Sequence, residues 1–241
     1  MPVEDAELQS SRKYTRAQVP RDSATLIIVR HDGDSPRVLM GERHGGHAFM
    51  PNKYVFPGGR LDAADCSTRV ESDLHPAVLE KLVTRMRGRS SLARARGLAI
   101  AAVRETFDDT GLVIGSRPGA PADRVMSWSE ILQAGLDLSG LRYFARAITP
   151  PGRTRRFDSR FFIADARHVG NLDRPLHPGS GELLETRWFT FAEALALELP
   201  NITREILNRL SPRLAEGPDL DPAAPVSFQY FKGNTWREDM L

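Results

Sequence analysis

The sequence predicts a mixed α/β domain in which helices cover a sheet. Three observations carry that expectation. Short β-branched runs bounded by Gly, Pro and Asp alternate with segments of helical periodicity. Strands and helices are intermixed along the chain, and no internal repeat is present. The 241 residues suffice for one large domain with a core to match.

Residues 1–22 read as a flexible or loosely docked arm, 23–216 as the domain and 217–241 as a C-terminal tail. "SATLIIVR" (23–30) is an apolar strand, "HDGDSP" (31–36) a turn and "RVLMGER" (37–43) the second strand of a hairpin. The loop "HGGHAFMPNKY" leads into a short strand in "YVFPGG". A helix is expected over 75–87, where Leu79, Leu82, Val83 and Met86 share one stripe. A second follows the cap candidates Ser90 and Ser91 and ends at Gly111, a suitable residue just past a helix C-terminus. Further on come a short helix in 125–135, strands over 141–150 and 156–166 around the turn "PGRTR", and a strand over 184–191. Helices over 191–199 and 201–214 complete the domain. The tail is Pro-rich, then carries Phe228, Tyr230, Phe231 and Trp236, aromatics suited to docking on the domain or on a second subunit.

Composition narrows the function classes. Hydrophobic residues make up 41% and charged residues 27%, an ordinary globular balance. A net charge of +2 gives no reason to expect a nucleic-acid partner, and no run approaches the roughly 18 apolar residues that would span a membrane. The polar N-terminus lacks the apolar core of a secretory signal. Cys66 is the single cysteine, so no internal disulfide can form; a cytoplasmic location is expected.

The most informative stretch is "AVRETFDDTG" (102–111). At about 100° per residue, Asp108 lies near −60° and Asp109 near +40° from Glu105, so three carboxylates are expected on one stripe, opposite Ile100, Val103 and Phe107. Negative charge at a helix C-terminus opposes the macrodipole, and no Lys stands at i+4 to offset it. A bound hard cation resolves the conflict; a plain solvated acidic face is the competing reading.

Upstream, "FPGGRLDAAD" (56–65) places two glycines after a strand, where backbone can approach closely and adopt unusual φ. Taken together, Gly59, Asp65 and "RETFDDTGL" (104–112) resemble the Nudix box. That family pattern is Gly, five residues, Glu, seven residues, then Arg-Glu-apolar-x-Glu-Glu-x-Gly-apolar. Two departures stand out. Residues 66–103 separate Asp65 from Arg104, so about 31 residues (66–96) are inserted. Asp replaces Glu at 65, 108 and 109, and Thr106 replaces an apolar residue. With "FMPNKYVFPGG" and "ARAITPPGRTRRFDSRFFIA", the insertion makes the chain similar to the long-insertion Nudix branch that includes a peroxisomal coenzyme A diphosphatase, although the terminal "EDML" is not a peroxisomal address.

The resemblance implies an α/β/α sandwich with a mixed sheet and hydrolysis of a diphosphate linked to another moiety. It implies Mg²⁺ or Mn²⁺ held by Glu105, Asp108, Asp109 and the Gly59 carbonyl, with Glu105 also able to help deprotonate water. Arg104 is expected to orient the box carboxylates, with Asp65 its partner. Arg43, Arg155 and Arg156 are candidates for substrate phosphates, since Arg forks suit phosphate oxygens, and Gly58 for close backbone approach. Glu182 or Glu185 could add a ligand or base, Glu185 being the choice carried forward. "HGGH" (44–47) lacks further His or Cys partners for zinc. Trp188, Phe189 and Phe191 read as core rather than base-stacking residues. The expected partner is a small nucleotide substrate, and a homodimer is compatible with the resemblance. CoA or acyl-CoA diphosphatase activity is the leading expectation, with an ADP-ribose or NADH pyrophosphatase, or a catalytically weak binding module, as alternatives.

Overall fold

A computed structural model describes residues 18–31, 33–46, 50–115, 126–176, 181–215, 217–233 and 235–241. Most of the expected N-terminal arm and His47 therefore lie outside the described residues. The strands are β1 (Arg21–Arg30), β2 (Arg37–Arg43), β3 (Tyr54–Val55), β4 (Gly58–Arg60), β5 (Arg142–Ile148), β6 (Phe157–Asp165), β7 (Leu183–Thr190), β8 (Ser227–Lys232) and β9 (Thr235–Met240). The α-helices are α1 (Ala63–Ser67), α2 (Pro76–Val83), α3 (Leu92–Thr110), α4 (Trp128–Ala134), α5 (Phe191–Ala196) and α6 (Asn201–Ala215).

The strands form one mixed sheet in the order β3-β2-β1-β6-β5-β8-β9, with β4 also paired to β1 and β7 to β2. β1 runs parallel to β6 and β5 parallel to β8; the other pairings are antiparallel. Alternation along the central strands divides their side chains between two cores. Leu26, Ile28, Phe162 and Ala164 pack with the buried face of α3 and with Val78 and Leu82 of α2. Ile27, Val29, Phe161 and Ile163 pack with Ile206, Leu207 and Leu210 of α6, and Phe189 and Phe191 join them. The result is an α/β/α sandwich. Among the described residues no helix is long and apolar enough to cross a membrane.

Three local results refine the sequence reading. The helix expected over 75–87 stops at Val83, because Arg85 adopts a left-handed φ of 54° and Gly88 one of 68°. A further helix, α1, leads from the box into the insertion; its capping box Asp62–Asp65 closes a single turn that the sequence reading does not resolve. The C-terminal aromatics sit in a hairpin of β8 and β9 that extends the sheet beyond β5, which is docking on the domain itself.

Candidate active site

The site forms where β4 passes the C-terminal half of α3. Ser91 caps the start of α3 by accepting from the Arg94 N–H, and Gly111 ends it at φ 73°. Pairing of Ala24 with Gly59 and Thr25 with Gly58 lays β4 along β1, with Glu105 directly against it. A Cβ on Gly59 would collide with the Glu105 carboxyl group, and one on Gly58 would meet the Ala24 carbonyl oxygen at 2.6 Å. Both glycines are required for space. Neither adopts positive φ, so the expected unusual backbone conformation is absent.

Arg104 organises the acidic residues. Its Nε and Nη2 donate to the two oxygens of Asp65 at 3.0 and 3.1 Å, its Nη1 to Glu105 Oε1 at 2.8 Å and, at a longer 3.5 Å, to Asp108 Oδ2. Nη2 also donates to the Arg60 carbonyl at 3.1 Å. Asp65 in turn accepts from the Asp62 N–H, so it caps α1 and anchors Arg104 together. Arg104 stands about 100° round the helix from Glu105, and its long guanidinium reaches back across the carboxylate stripe. Asp65 and Glu105 hold the Arg104 pKa above its ordinary value although burial opposes the charge. Burial pushes the Glu105 pKa up; Arg104 opposes this, and the negative charges of Asp108 and Glu182 add to it.

The three box acids do not share one environment. The Glu105 side chain is 19% exposed and that of Asp108 42%, whereas Asp109 is only 3% exposed. Ala102 and Thr106, about 60° and 100° round the helix from Glu105, are wholly buried, so the core-facing side of α3 extends far enough to take in Asp109. Thr106 satisfies its hydroxyl on the Ala102 carbonyl at 2.8 Å, which is how a polar residue occupies a buried position here. Glu182 faces the site, where its charge acts on Glu105. Glu185 does not: it sits exposed at a bulge opposite the Met40–Glu42 step, at φ 43°, and its charge acts on Tyr54. The bulge turns Glu185 outward, a feature the "LETRWFTF" alternation does not reveal.

As donors, Glu105, Asp108, Glu182 and the Gly59 carbonyl are all hard oxygen ligands of the kind Mg²⁺ takes. The carboxylate seated on Gly59, where any Cβ would fill the space, fits that chemistry. In this arrangement the counter-charge comes from Arg104, and among the described residues no three His, Cys, Asp or Glu side chains converge as a metal-holding group.

A cleft of about 1870 Å³ opens from Glu105 and Gly59 across the α6-side face of the sheet. Arg43, Gly58, Arg153, Arg155, Arg156 and Glu182 line it. Arg156 is partly committed elsewhere: its guanidinium donates to the carbonyls of Thr149 at 2.9 Å and Gln18 at 2.8 Å, closing the β5–β6 turn onto the segment before β1. Burial and the neighbouring Arg87 lower its pKa.

No family model matches the chain. A Nudix hydrolase from Alicyclobacillus acidocaldarius superposes with a TM-score of 0.61 at 24% identity, covering 81% of this chain and 92% of the other. Human acyl-coenzyme A diphosphatase NUDT19 is 26% identical over 207 residues, covering 66% of this chain and 54% of the relative, so the chain spans about half the relative's length. The chain has the fold of a Nudix hydrolase. The M. smegmatis Nudix hydrolase RenU aligns at a TM-score of 0.47 and 16% identity, covering 88% of this chain and 96% of that one. Against the box pattern, β4 and the second half of α3 carry its two ends, α1 leads into the insertion between them and α2 lies within it. The insertion does not cover Glu105. It runs to the opposite edge of the sheet, where Lys81 donates to the Pro222 and Ala224 carbonyls and Arg85 pairs with Asp239.

Proposed function

We propose that this protein hydrolyses the diphosphate bond of a nucleoside diphosphate derivative, with CoA or acyl-CoA as substrate. The observation that carries the reading is the Glu105 carboxylate, seated on the Gly59 backbone and steered by Arg104, at the head of a cleft whose walls carry several arginines. The likeness to an acyl-CoA diphosphatase supports the substrate class.

Hydrolysis adds water across one P–O–P linkage. The water oxygen bonds to one phosphorus, the bridging oxygen leaves on the other, and a proton must be accepted. Glu105 is the carboxylate placed to take that proton, and Arg104, fixed by Asp65, holds its oxygens in position. Arg43 and Arg155 face the cleft and suit the outer phosphate oxygens. A divalent cation, Mg²⁺ or Mn²⁺, would be held by Glu105, Asp108 and the Gly59 carbonyl with Glu182 beside them, and when bound it supplies neutralisation of the diphosphate charge. Asp109 stands behind this set, inside the protein.

A second reading, a binding module with little turnover, draws on the buried Asp109 and the Arg104 that already balances Glu105 and Asp108. One assay separates the two: CoA, acyl-CoA, ADP-ribose and NADH, each with Mg²⁺, Mn²⁺ or chelator, with products identified by mass. Cleavage of CoA to adenosine 3′,5′-bisphosphate and 4′-phosphopantetheine, dependent on added cation, is the expected result. A tenfold preference for ADP-ribose in kcat/KM, about 1.4 kcal/mol, would overturn the substrate assignment. Binding without turnover by any ion would establish the module.

A further inference from the structure

The cleft is longer than the diphosphate chemistry needs. From Glu105 and Gly59 on β4 its floor crosses Thr25 of β1, Phe161 of β6, Ala147 of β5 and Gln229 of β8, and ends at Trp236 of β9. Five inter-strand steps at ~4.8 Å each set the far wall roughly 24 Å from the carboxylate. The far wall is the C-terminal hairpin, and it carries a tryptophan that is 53% exposed. A tryptophan presented to a cleft offers a large apolar ring with a hydrogen-bonding N–H at its edge.

The hairpin is held firmly. Arg85, in its left-handed conformation, lies over the rings of Phe228 and Tyr230 at 4.9 Å each and pairs with Asp239. The Arg146 guanidinium lies 4.2 Å from the Phe228 ring centre, and Ser227 Oγ donates to Glu238 at 2.7 Å. Trp236 itself rests edge-on against Phe231 at 5.6 Å. Its ring is therefore presented in one place before any ligand arrives, which lowers the ordering cost of binding.

Charge along the cleft says which part of a substrate belongs at this end. The arginines 43, 153 and 155 lie along its walls, whereas Trp236 neighbours Glu238 and Gln229, with Glu205 below. Arg209 pairs with Glu205 and Glu238 from beneath, and Arg237 also lines this end, so the two carboxylates there are matched by two guanidiniums. Phosphates are drawn to the wall where arginines gather without matching carboxylates, so the charge-balanced wall at Trp236 suits an uncharged arm bearing amides and hydrocarbon.

We propose that Trp236 is a specificity residue that binds the uncharged arm of the substrate leading away from the diphosphate, and that Arg85 of the box insertion positions it. This rests on the CoA reading above, whose pantetheine arm has that chemistry. It gives the insertion a role: it braces the far wall of the substrate cleft from the opposite edge of the sheet.

The test uses the full-length protein and two substitutions, W236A and R85A. For W236A, KM for acyl-CoA should rise about tenfold with kcat within twofold, and the ratio of kcat/KM for acyl-CoA over ADP-ribose should fall about tenfold. R85A should shift the ratio the same way by a smaller factor, with faster hydrogen exchange confined to β8 and β9. Calorimetric binding of 4′-phosphopantetheine gives a readout independent of turnover. Weaker binding to W236A than to the unaltered protein upholds the subsite even if no CoA hydrolysis is found, so failure of the activity reading and failure of this one are distinguishable. Equal binding, or an unchanged substrate ratio, overturns the proposal.

Discussion

Two Arg–Asp clusters lie on the α3 side of the sheet, and they are built on opposite principles. Around β6, the guanidiniums of Arg94, Arg146 and Arg160 meet the carboxylates of Asp22 and Asp158. Arg146, Arg160 and Asp158 are essentially without solvent exposure, and Arg146 grips Asp158 with two bonds of 2.8 Å. At the box, the single guanidinium of Arg104 serves Asp62, Asp65, Glu105 and Asp108, and three of those acids reach the cleft or solvent. The first cluster has more cations than anions and is closed; the second has surplus anions and is open. An enclosed, salt-bridged network holds strands and insertion together. An open surplus of carboxylate, only partly balanced by one arginine, is the kind of site a cation or a proton in transit can use.

Breaking the closed cluster should give the largest effect. Asp158→Ala strands the buried Arg146 guanidinium and leaves Arg160 with Asp22, and removing one partner of a buried pair costs about 3–5 kcal/mol. Urea unfolding should register that loss, and a change under about 1 kcal/mol would show that Arg146 finds another partner. The matching substitution at the open cluster, Glu105→Gln, should behave in reverse. Hydrolysis should drop by a factor on the order of 10²–10⁴, the range for losing a positioned base, while thermal stability holds or rises slightly. Near-normal turnover in that variant would remove Glu105 from the mechanism.

The same comparison sharpens with pH. The Glu105 pKa is raised in the folded protein, chiefly by burial, so the native state binds its proton more tightly than the unfolded chain. The sign follows: this group favours folding most below the ordinary Glu pKa, and its contribution is lost as pH climbs through the raised folded value. In chelator, the unaltered protein should therefore lose stability from Glu105 over the range just above the ordinary Glu pKa, and Glu105→Gln should abolish that component. Identical pH profiles of melting temperature for the two proteins would mean that burial does not raise the Glu105 pKa on folding.

What the sequence disclosed divides along local and distant causes. β1, β2, α3 with its Ser91 cap and Gly111 end, and the α5–α6 pair follow from short-range periodicity and turn chemistry, and they lie close to where the sequence puts them. The early end of α2 does not, because the residue that turns the chain, Arg85, takes its partners from Phe228, Tyr230 and Asp239 near the other end of the chain. The β8 strand was hidden for a related reason: its parallel pairing with β5 is a long-range event, and "SFQYFK" shows no clean alternation. At the site, the Glu105–Gly59 and Arg104–Asp65 contacts link residues that the motif resemblance already brought together. The inward turn of Asp109, the outward turn of Glu185 and the main-chain engagement of Arg156 depend on packing, a bulge and a neighbouring segment, none of which a helical angle or a charge pattern encodes.

The smallest expected effects separate Asp108 from Asp109, which sequence alone treats as a pair. An Asp arm is one methylene shorter than the family's Glu, about 1.5 Å of reach, while Mg²⁺ requires ligands near ~2.0–2.1 Å. Asp108, half-exposed and held only by a long contact to Arg104, has room for the longer side chain. Asp108→Glu should therefore lower the Mg²⁺ concentration for half-maximal rate by a few-fold and narrow the advantage expected for Mn²⁺, the tighter-binding of the two ions on N- and O-donor sites. Asp109→Glu adds the same methylene inside a filled space and should instead cost about 1–3 kcal/mol of stability through overpacking, with no gain in Mg²⁺ use. A Mg²⁺ titration and a melting curve on each single variant read both effects. If Asp109→Glu improves Mg²⁺ use and Asp108→Glu does not, the cation is held from the core side of α3, and the division between an open and a buried box acid is wrong.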